Sequence, residues 1–415
     1  MDTAYLLDWL NFLLRWAHVI VAIAWIGSSF YFVFLDSSLV RPTDPDLIDK
    51  GVDGELWAVH GGGFYNPQKY LVAPRTLPEH LHWFFWESYS TWLTGFALFT
   101  TIYLFQANTF LIDPHVHAWS APAAVSAALA FLAVFWLGYD AVCRVFDGRG
   151  GAHGQKVAGA SIAGLVVAAS WLACHWFAGR AAFVLVGAMM ATAMSANVFV
   201  WIIPGQRKVV AQMKAGLPVD PAHGRRAKQR SVHNTYFTLP VLAAMLSNHY
   251  AFLHGASGNW IALVALMAAG ALIRQSFVLR HKARVLGLRT PWEYAAAGVV
   301  VLVALGAWLA PPASPTSPAS TSTATPGSAT AARPEPVRFA DVQRIAAERC
   351  SVCHNATFAN KNVRLDTADG ILAHAAQVYQ QAVVLKAMPL NNATRITDAE
   401  RDALKRWYEA GAPRD

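Results

Sequence analysis

The sequence predicts an all-α protein in two parts: a polytopic membrane bundle of about eight transmembrane helices, and a small helical domain behind it. Three observations carry this reading. The chain is more apolar than soluble proteins, with 55% hydrophobic residues, only 14% charged residues and a mean hydropathy of +0.32. A stretch rich in Pro, Ser, Thr and Ala interrupts it at 311–336. Beyond that stretch stands the motif Cys350-Ser351-Val352-Cys353-His354.

Apolar runs near 11–34, 83–106, 121–143, 157–178, 180–203, 233–254, 259–279 and 292–310 each approach the ~20 residues that cross ~30 Å of hydrocarbon. The boundary between the fourth and fifth rests on Gly179-Arg180. The start, Met-Asp-Thr-Ala, has no basic region, and its apolar run is long enough to span. It therefore reads as a first membrane helix, and a cleavable signal peptide is not expected. Basic residues concentrate in alternate connections. These hold Arg41, Lys50, Lys69 and Arg75, then Arg144, Arg149 and Lys156, then Arg207 to Arg230, then Arg280 to Arg289; the others hold Arg180 alone. The positive-inside rule makes the basic loops cytoplasmic and puts both termini outside. The expectation is a multi-pass protein of a bacterial inner membrane, in contact with the lipid bilayer. The net charge of +8 belongs mainly to these loops, so it is a topology signal, and no nucleic-acid partner is expected.

Residues 1–310 thus form the membrane domain. Residues 311–336 have nothing to bury and read as an extended tether. Residues 337–415 form the small domain, and C-x-x-C-H marks it as a class I-type cytochrome c. The thiols of Cys350 and Cys353, one helical turn apart, suit the two vinyl groups of one covalent haem c. His354 then lies under the iron, and Met388, the only methionine downstream of it, is the expected second axial ligand. A zinc half-site lacks a second cysteine pair, and a thioredoxin-type motif lacks a βαβ pattern. Cys143 and Cys174 fall in or beside apolar helices and read as inert core residues. Within the small domain the expected elements are a helix near 339–350, Met388-Pro389 in a loop, and a last helix opened by the capping box Thr397-Asp398-Ala399-Glu400. That helix should end near Gly411, with Trp407 packed on the first helix. Haem c is attached on the outer face of bacterial membranes, which agrees with the charge reading and makes this domain periplasmic.

Ionisable residues inside membrane helices are functional candidates by default. His18, His175 and His249 fall in the outer half of the bundle, where they are possible ligands of a b-type haem or hydrogen-bonded core residues. His82 and Glu87 open the second span on the inner side, and His233-Asn234 open the sixth. His60 begins His60-Gly-Gly-Gly-Phe64-Tyr65, which reads either as an anion-accepting backbone or as a flexible loop.

Several stretches together resemble the membrane-bound urate oxidase (urate hydroxylase) family. They are Arg15-Trp-Ala-His18-Val-Ile with Ala24-Trp-Ile-Gly-Ser-Ser-Phe30, Val59-His-Gly-Gly-Gly-Phe-Tyr65, Leu81-His-Trp83 with Trp86-Glu87, Ile203-Pro-Gly-Gln206, and Leu246-Ser-Asn-His-Tyr250. The resemblance implies eight membrane helices followed by a cytochrome c. It implies oxidation of urate, or a related purine, to 5-hydroxyisourate, with electrons passed to haem c and then to a respiratory-chain acceptor. His60, His82, Glu87 and His233 are candidate bases on the inner side, with Asn248 and His249 on the outer side. A histidine of the first helix binds b-haem in other haem-handling membrane families, which suggests His18 for haem b. The competing expectation is a membrane-anchored electron-transfer subunit serving a separate dehydrogenase.

Overall fold

The computed structural model describes residues 3–70, 74, 76–114, 116–149, 151–310, 337–356, 363–392 and 394–414. The expected tether at 311–336 lies outside the described residues. The first apolar run forms α1 (Thr3–Ser38), whose only charged or histidine positions are Asp8, Arg15, His18 and Asp36. After the short α2 (Pro45–Asp49), two small antiparallel ribbons interrupt the otherwise helical chain. Strand β1 (Val52–Glu55) pairs antiparallel with β4 (Gln68–Tyr70), and β2 (Ala58–His60) pairs with β3 (Gly63–Tyr65). Gly61 and Gly62 both take positive φ, 57° and 82°, and make the two-residue turn that matches the twist of a hairpin. The glycine run is therefore a hairpin turn.

Helix α3 (Trp86–Phe99) passes into a π-helical turn (Thr100–Leu104) and the short α4 (Ala107–Phe110). Next come α5 (Ala121–Val145), α6 (Gly151–Trp176) and α7 (Gly179–Ala196). The weak boundary at Gly179-Arg180 is a true break, since Phe177 and Ala178 separate α6 from α7. Helix α7 runs through a second π-helical segment (Asn197–Ile202) into α8 (Ile203–Lys214), so the fifth helical run outlasts its predicted apolar part. Helix α9 (Pro221–Ser247) likewise begins before the predicted span, because the Asp220 side chain accepts from the Ala222 N–H and starts a polar first half. Then follow α10 (Ala251–His254), α11 (Asn259–Val285) and α12 (Glu293–Trp308). Among the described residues, five helices are long and apolar enough to cross a membrane, and α12 is a shorter apolar helix.

The chain divides into two compact units, Met1–Tyr250 with Gly258–Leu305, and Gly306–Asp415 with Ala251–Ser257. In the first, α7 is buried on every side, through Ala181, Phe183, Leu185, Val186, Met189 and Ala193. A helix apolar all round belongs in the middle of a bundle. Small residues let its neighbours approach: a Cβ on Gly187 would stand 3.1 Å from the Ala244 Cβ of α9. Outward-facing Phe12, Ile23, Val134, Phe199, Val300 and Val303 are exposed, the surface that lipid tails cover.

In the second unit, α13 (Phe339–Arg349) packs against α16 (Asp398–Glu409), with the Phe339 and Trp407 rings stacked at 5.9 Å. Between them lie α14 (Ala368–Ala373), α15 (Ala375–Val378), a π-helical segment (Tyr379–Val384) and a 3-10 turn (Leu390–Asn392). The core joins Val342, Ile345, Leu365, Ile371, Leu404 and Trp407. The capping box forms as expected, with Thr397 and Glu400 each bonding the other's backbone N–H.

Candidate functional site

The bundle holds a cavity of about 640 Å³, within the usual size range of ligand pockets. Its wall comes from the second half of α1, the segment before α3, the π-helical segment after α7, and α9. Apolar and aromatic side chains such as Trp25, Phe32 and Val198 alternate with polar ones. The polar ones include Ser29, Ser88, Asn234 and Thr235, together with His82 and Glu87. At one edge Asp36 pairs with Lys228 at 2.5 Å and also with Lys69 of β4, tying the ribbons to the ends of α1 and α9. This is the end of the bundle that carries the basic loops.

Behind Asn234 lies a polar network that sequence reading missed. Asn234 Oδ1 accepts from Asn197 Nδ2 at 2.9 Å, and the same amide donates to the Tyr139 hydroxyl at 2.8 Å. Tyr139 in turn shares a hydrogen bond with His233 Nδ1 at 3.0 Å, with the Cys143 thiol 3.6 Å from that nitrogen. Arg230, 2% exposed, pairs with Asp140 at 2.8 Å. Asp140 also accepts from Trp201 Nε1 at 2.8 Å and from Arg144 at 2.6 Å. Removing one partner of such a buried pair leaves an uncompensated charge, at a cost of about 3–5 kcal/mol. A smaller cavity of about 350 Å³ is lined by members of this network, Arg144 and Arg230 with Trp201, and by Arg226. The signal that could have found this network was a polar residue inside an otherwise apolar helix, at Tyr139-Asp140 and Asn197.

Of the inner-side candidates, His82, Glu87 and Asn234 line the larger cavity. His233, next to Asn234, belongs to the network, and His60 is exposed on the β2–β3 hairpin. Asn248 is held by two donors, the Tyr103 hydroxyl at 3.2 Å and Arg180 Nε. His249 is exposed, and so is His175, whose Nδ1 bonds the Trp171 carbonyl at 2.7 Å. His18 lies against α3, with Nδ1 3.0 Å from Thr94 Oγ1; a Cβ on Gly95 would stand 2.8 Å from its ring. Thr94 directs its hydroxyl hydrogen to the Ser90 carbonyl at 2.7 Å. In the tautomer in which the His18 Nδ1 donates to Thr94, the Nε2 lone pair is left for a ligand bond. Among the described residues no group of three His, Cys, Asp or Glu is placed to hold a metal ion.

In the second unit, the His354 Nδ1 donates to the Val363 carbonyl at 3.1 Å. Its Nε2 therefore keeps a lone pair, the tautomer that binds iron. Burial pushes the Cys350 thiol up to about 11, unlike the lowered values of redox-active C-x-x-C pairs. Met388 is exposed, yet its backbone is clamped: its N–H donates to the Gln381 carbonyl at 3.0 Å and its carbonyl accepts from Arg401 at 2.9 Å. The donor set, with the His354 Nε2 lone pair free of the Val363 bond, fits a covalently bound haem.

Helices fit to cross a membrane, with a cavity of mixed apolar and polar lining among them, define the class: a membrane-type helical bundle. Residues 4–310 match the family model described as Urate oxidase N-terminal, and the chain belongs to that family. No curated protein and no solved structure matches the chain. Membership points to a urate-related function and to an oxidoreductase acting on urate.

Proposed function

We propose that this chain oxidises urate to 5-hydroxyisourate in the larger cavity and passes the electrons to a haem c in residues 337–415, and from there to a respiratory-chain acceptor. The observation that carries the reading is the cavity itself. It lies wholly within the family-matched region and offers hydroxyl, amide, imidazole and carboxylate groups beside aromatic faces. Urate is planar, anionic and edged with N–H and C=O groups, so it needs that mixture.

The reaction balances as urate plus water giving 5-hydroxyisourate, two protons and two electrons, without dioxygen or peroxide. Besides Asp36, which is paired with two lysines, His82 and Glu87 are the groups at the cavity able to accept those protons. Ser29, Ser88, Asn234 and Thr235 orient the ring by hydrogen bonding, and Trp25, Trp83 and Phe84 supply faces for it to lie against. Cys350 and Cys353 attach haem c, and His354 and Met388 ligate it; when bound, it supplies a one-electron acceptor.

In this reading the cavity faces the cytoplasmic side of a bacterial inner membrane, where the positive-inside rule puts the basic loops, and the cytochrome domain is periplasmic. A relay between them is then required. His18 supports one, because it lies seven residues, roughly 10 Å, along α1 from Trp25 of the cavity wall. Its free Nε2 suits a b-type haem.

The test is anaerobic addition of urate to membranes carrying the full chain, with the haem spectrum recorded. Reduction of haem c is the expected result. No reduction by urate, with dithionite still effective, would leave the chain as an electron-transfer subunit for a separate dehydrogenase.

A further inference from the structure

Arg274 lies within α11 and is 6% exposed. Its Nε and Nη2 are buried and have no hydrogen-bond partner, and no ion pair joins it to a carboxylate among the described residues. The guanidinium rests on the Phe30 ring of α1, 3.8 Å from the centroid. Arg230, just as deeply buried, has Asp140 to neutralise it. A charge inside a membrane bundle without such a partner is costly, and it marks a functional position by default.

The surroundings of Arg274 point to what neutralises it. Ser29 and Val33, which flank Phe30 on α1, both line the larger cavity. So does Val278, one turn along α11 from Arg274. So does Tyr236 of α9, whose hydroxyl donates to Gln275, the residue after Arg274. Three helices that enclose Arg274 thus also build the wall of one cavity, although Arg274 and Phe30 are not themselves among its lining residues.

We propose that Arg274 is the charge partner of an anionic ligand of this cavity, and, resting on the reading above, that this ligand is a planar monoanionic oxopurine. A guanidinium is planar and presents paired N–H donors, which suits a delocalised oxygen–nitrogen edge better than an ammonium would. The Phe30 face beneath it holds that plane in one orientation. The charge of the ligand replaces the carboxylate that the protein does not supply.

The test uses the full chain in nanodiscs and its Arg274→Met and Arg274→Lys variants. Equilibrium binding of urate is measured anaerobically, and thermal unfolding is followed without ligand. Arg274→Met should weaken urate binding by at least ~30-fold, the least expected when one partner of a buried charge pair is lost. The same variant should raise the melting midpoint of the ligand-free protein, because an uncompensated charge has been removed. Arg274→Lys should recover part of the affinity. Unchanged urate binding in Arg274→Met, or a lowered ligand-free midpoint, would overturn the inference and make Arg274 a structural residue. If the parent chain binds no urate, the urate reading fails separately. The inference is then decided by phosphate, chloride and bicarbonate: an Arg274-dependent rise in midpoint with any of them supports it, and none overturns it.

Discussion

The bond made by one ring nitrogen of a histidine decides whether the other is left able to ligate. At His354 that bond goes to the Val363 carbonyl, and at His18 to Thr94. Both partners follow from local geometry that the C-x-x-C-H motif and the apolar run do not spell out. Met388 is the complementary case. Its main chain is clamped at N–H and carbonyl, while its side chain stays out of the core formed by Leu404 and Trp407. A thioether held in this way is available to iron. Met388→Ala should therefore abolish the six-coordinate haem spectrum and lower the reduction potential, as read by a spectroelectrochemical titration. An unchanged potential would rule Met388 out as a ligand. Asn248 illustrates the opposite outcome. Its carbonyl oxygen is held by Tyr103 and Arg180, an arrangement invisible in Leu246-Ser-Asn-His-Tyr250.

Helix ends and helix irregularities carry much of the information at the next scale. The π-helical segment Asn197–Ile202 sends Val198 and Ile202 to the larger cavity and Trp201 to the smaller one. π-bulges are common at functional sites. The start of α16 makes a pH-dependent prediction. Partial burial works to raise the Glu400 pKa, but the Thr397 N–H and hydroxyl and the Arg349 guanidinium outweigh it and hold the carboxyl below its ordinary 4.5. A group with a depressed folded-state pKa stabilises above its unfolded value, and that stabilisation is lost as the pH falls through the folded value. The melting midpoint of the 337–415 unit should accordingly drop on acidification below about pH 4.5. In Glu400→Gln that portion of the acid dependence should vanish, as followed by circular dichroism across a pH series.

At the level of the whole molecule, the chain joins a urate-family bundle to a separate small unit. If the bundle alone holds the substrate and the small unit takes the electrons, the two activities are separable. Deleting 337–415 should abolish electron delivery to an added acceptor while leaving urate binding within about twofold of the parent, inside the ~0.5 kcal/mol expected when no contact is lost. Binding measured by equilibrium dialysis on the truncated protein decides this. Loss of binding would mean that the small unit shapes the cavity.

Hydrophobic run lengths, loop charges and the C-x-x-C-H motif are properties of contiguous residues. For that reason the helical class, the membrane character and the order of the helices were legible before any fold was in hand. So was the capping box of α16, which is complete within four residues. His82, Glu87 and Asn234 were also picked out as polar groups in apolar surroundings, although nothing in their spacing revealed that one cavity gathers them. The ribbons at 52–70 were missed because such short strands are stabilised by pairing across a glycine turn and carry little periodicity of their own. The cavity, the Asp140–Arg230 pair and the solitary Arg274 depend on partners such as Ser88 and Ser195, or Tyr139 and His233, that are far apart in the chain. Helix packing alone brings such groups together, and it alone leaves a charge like Arg274 without one.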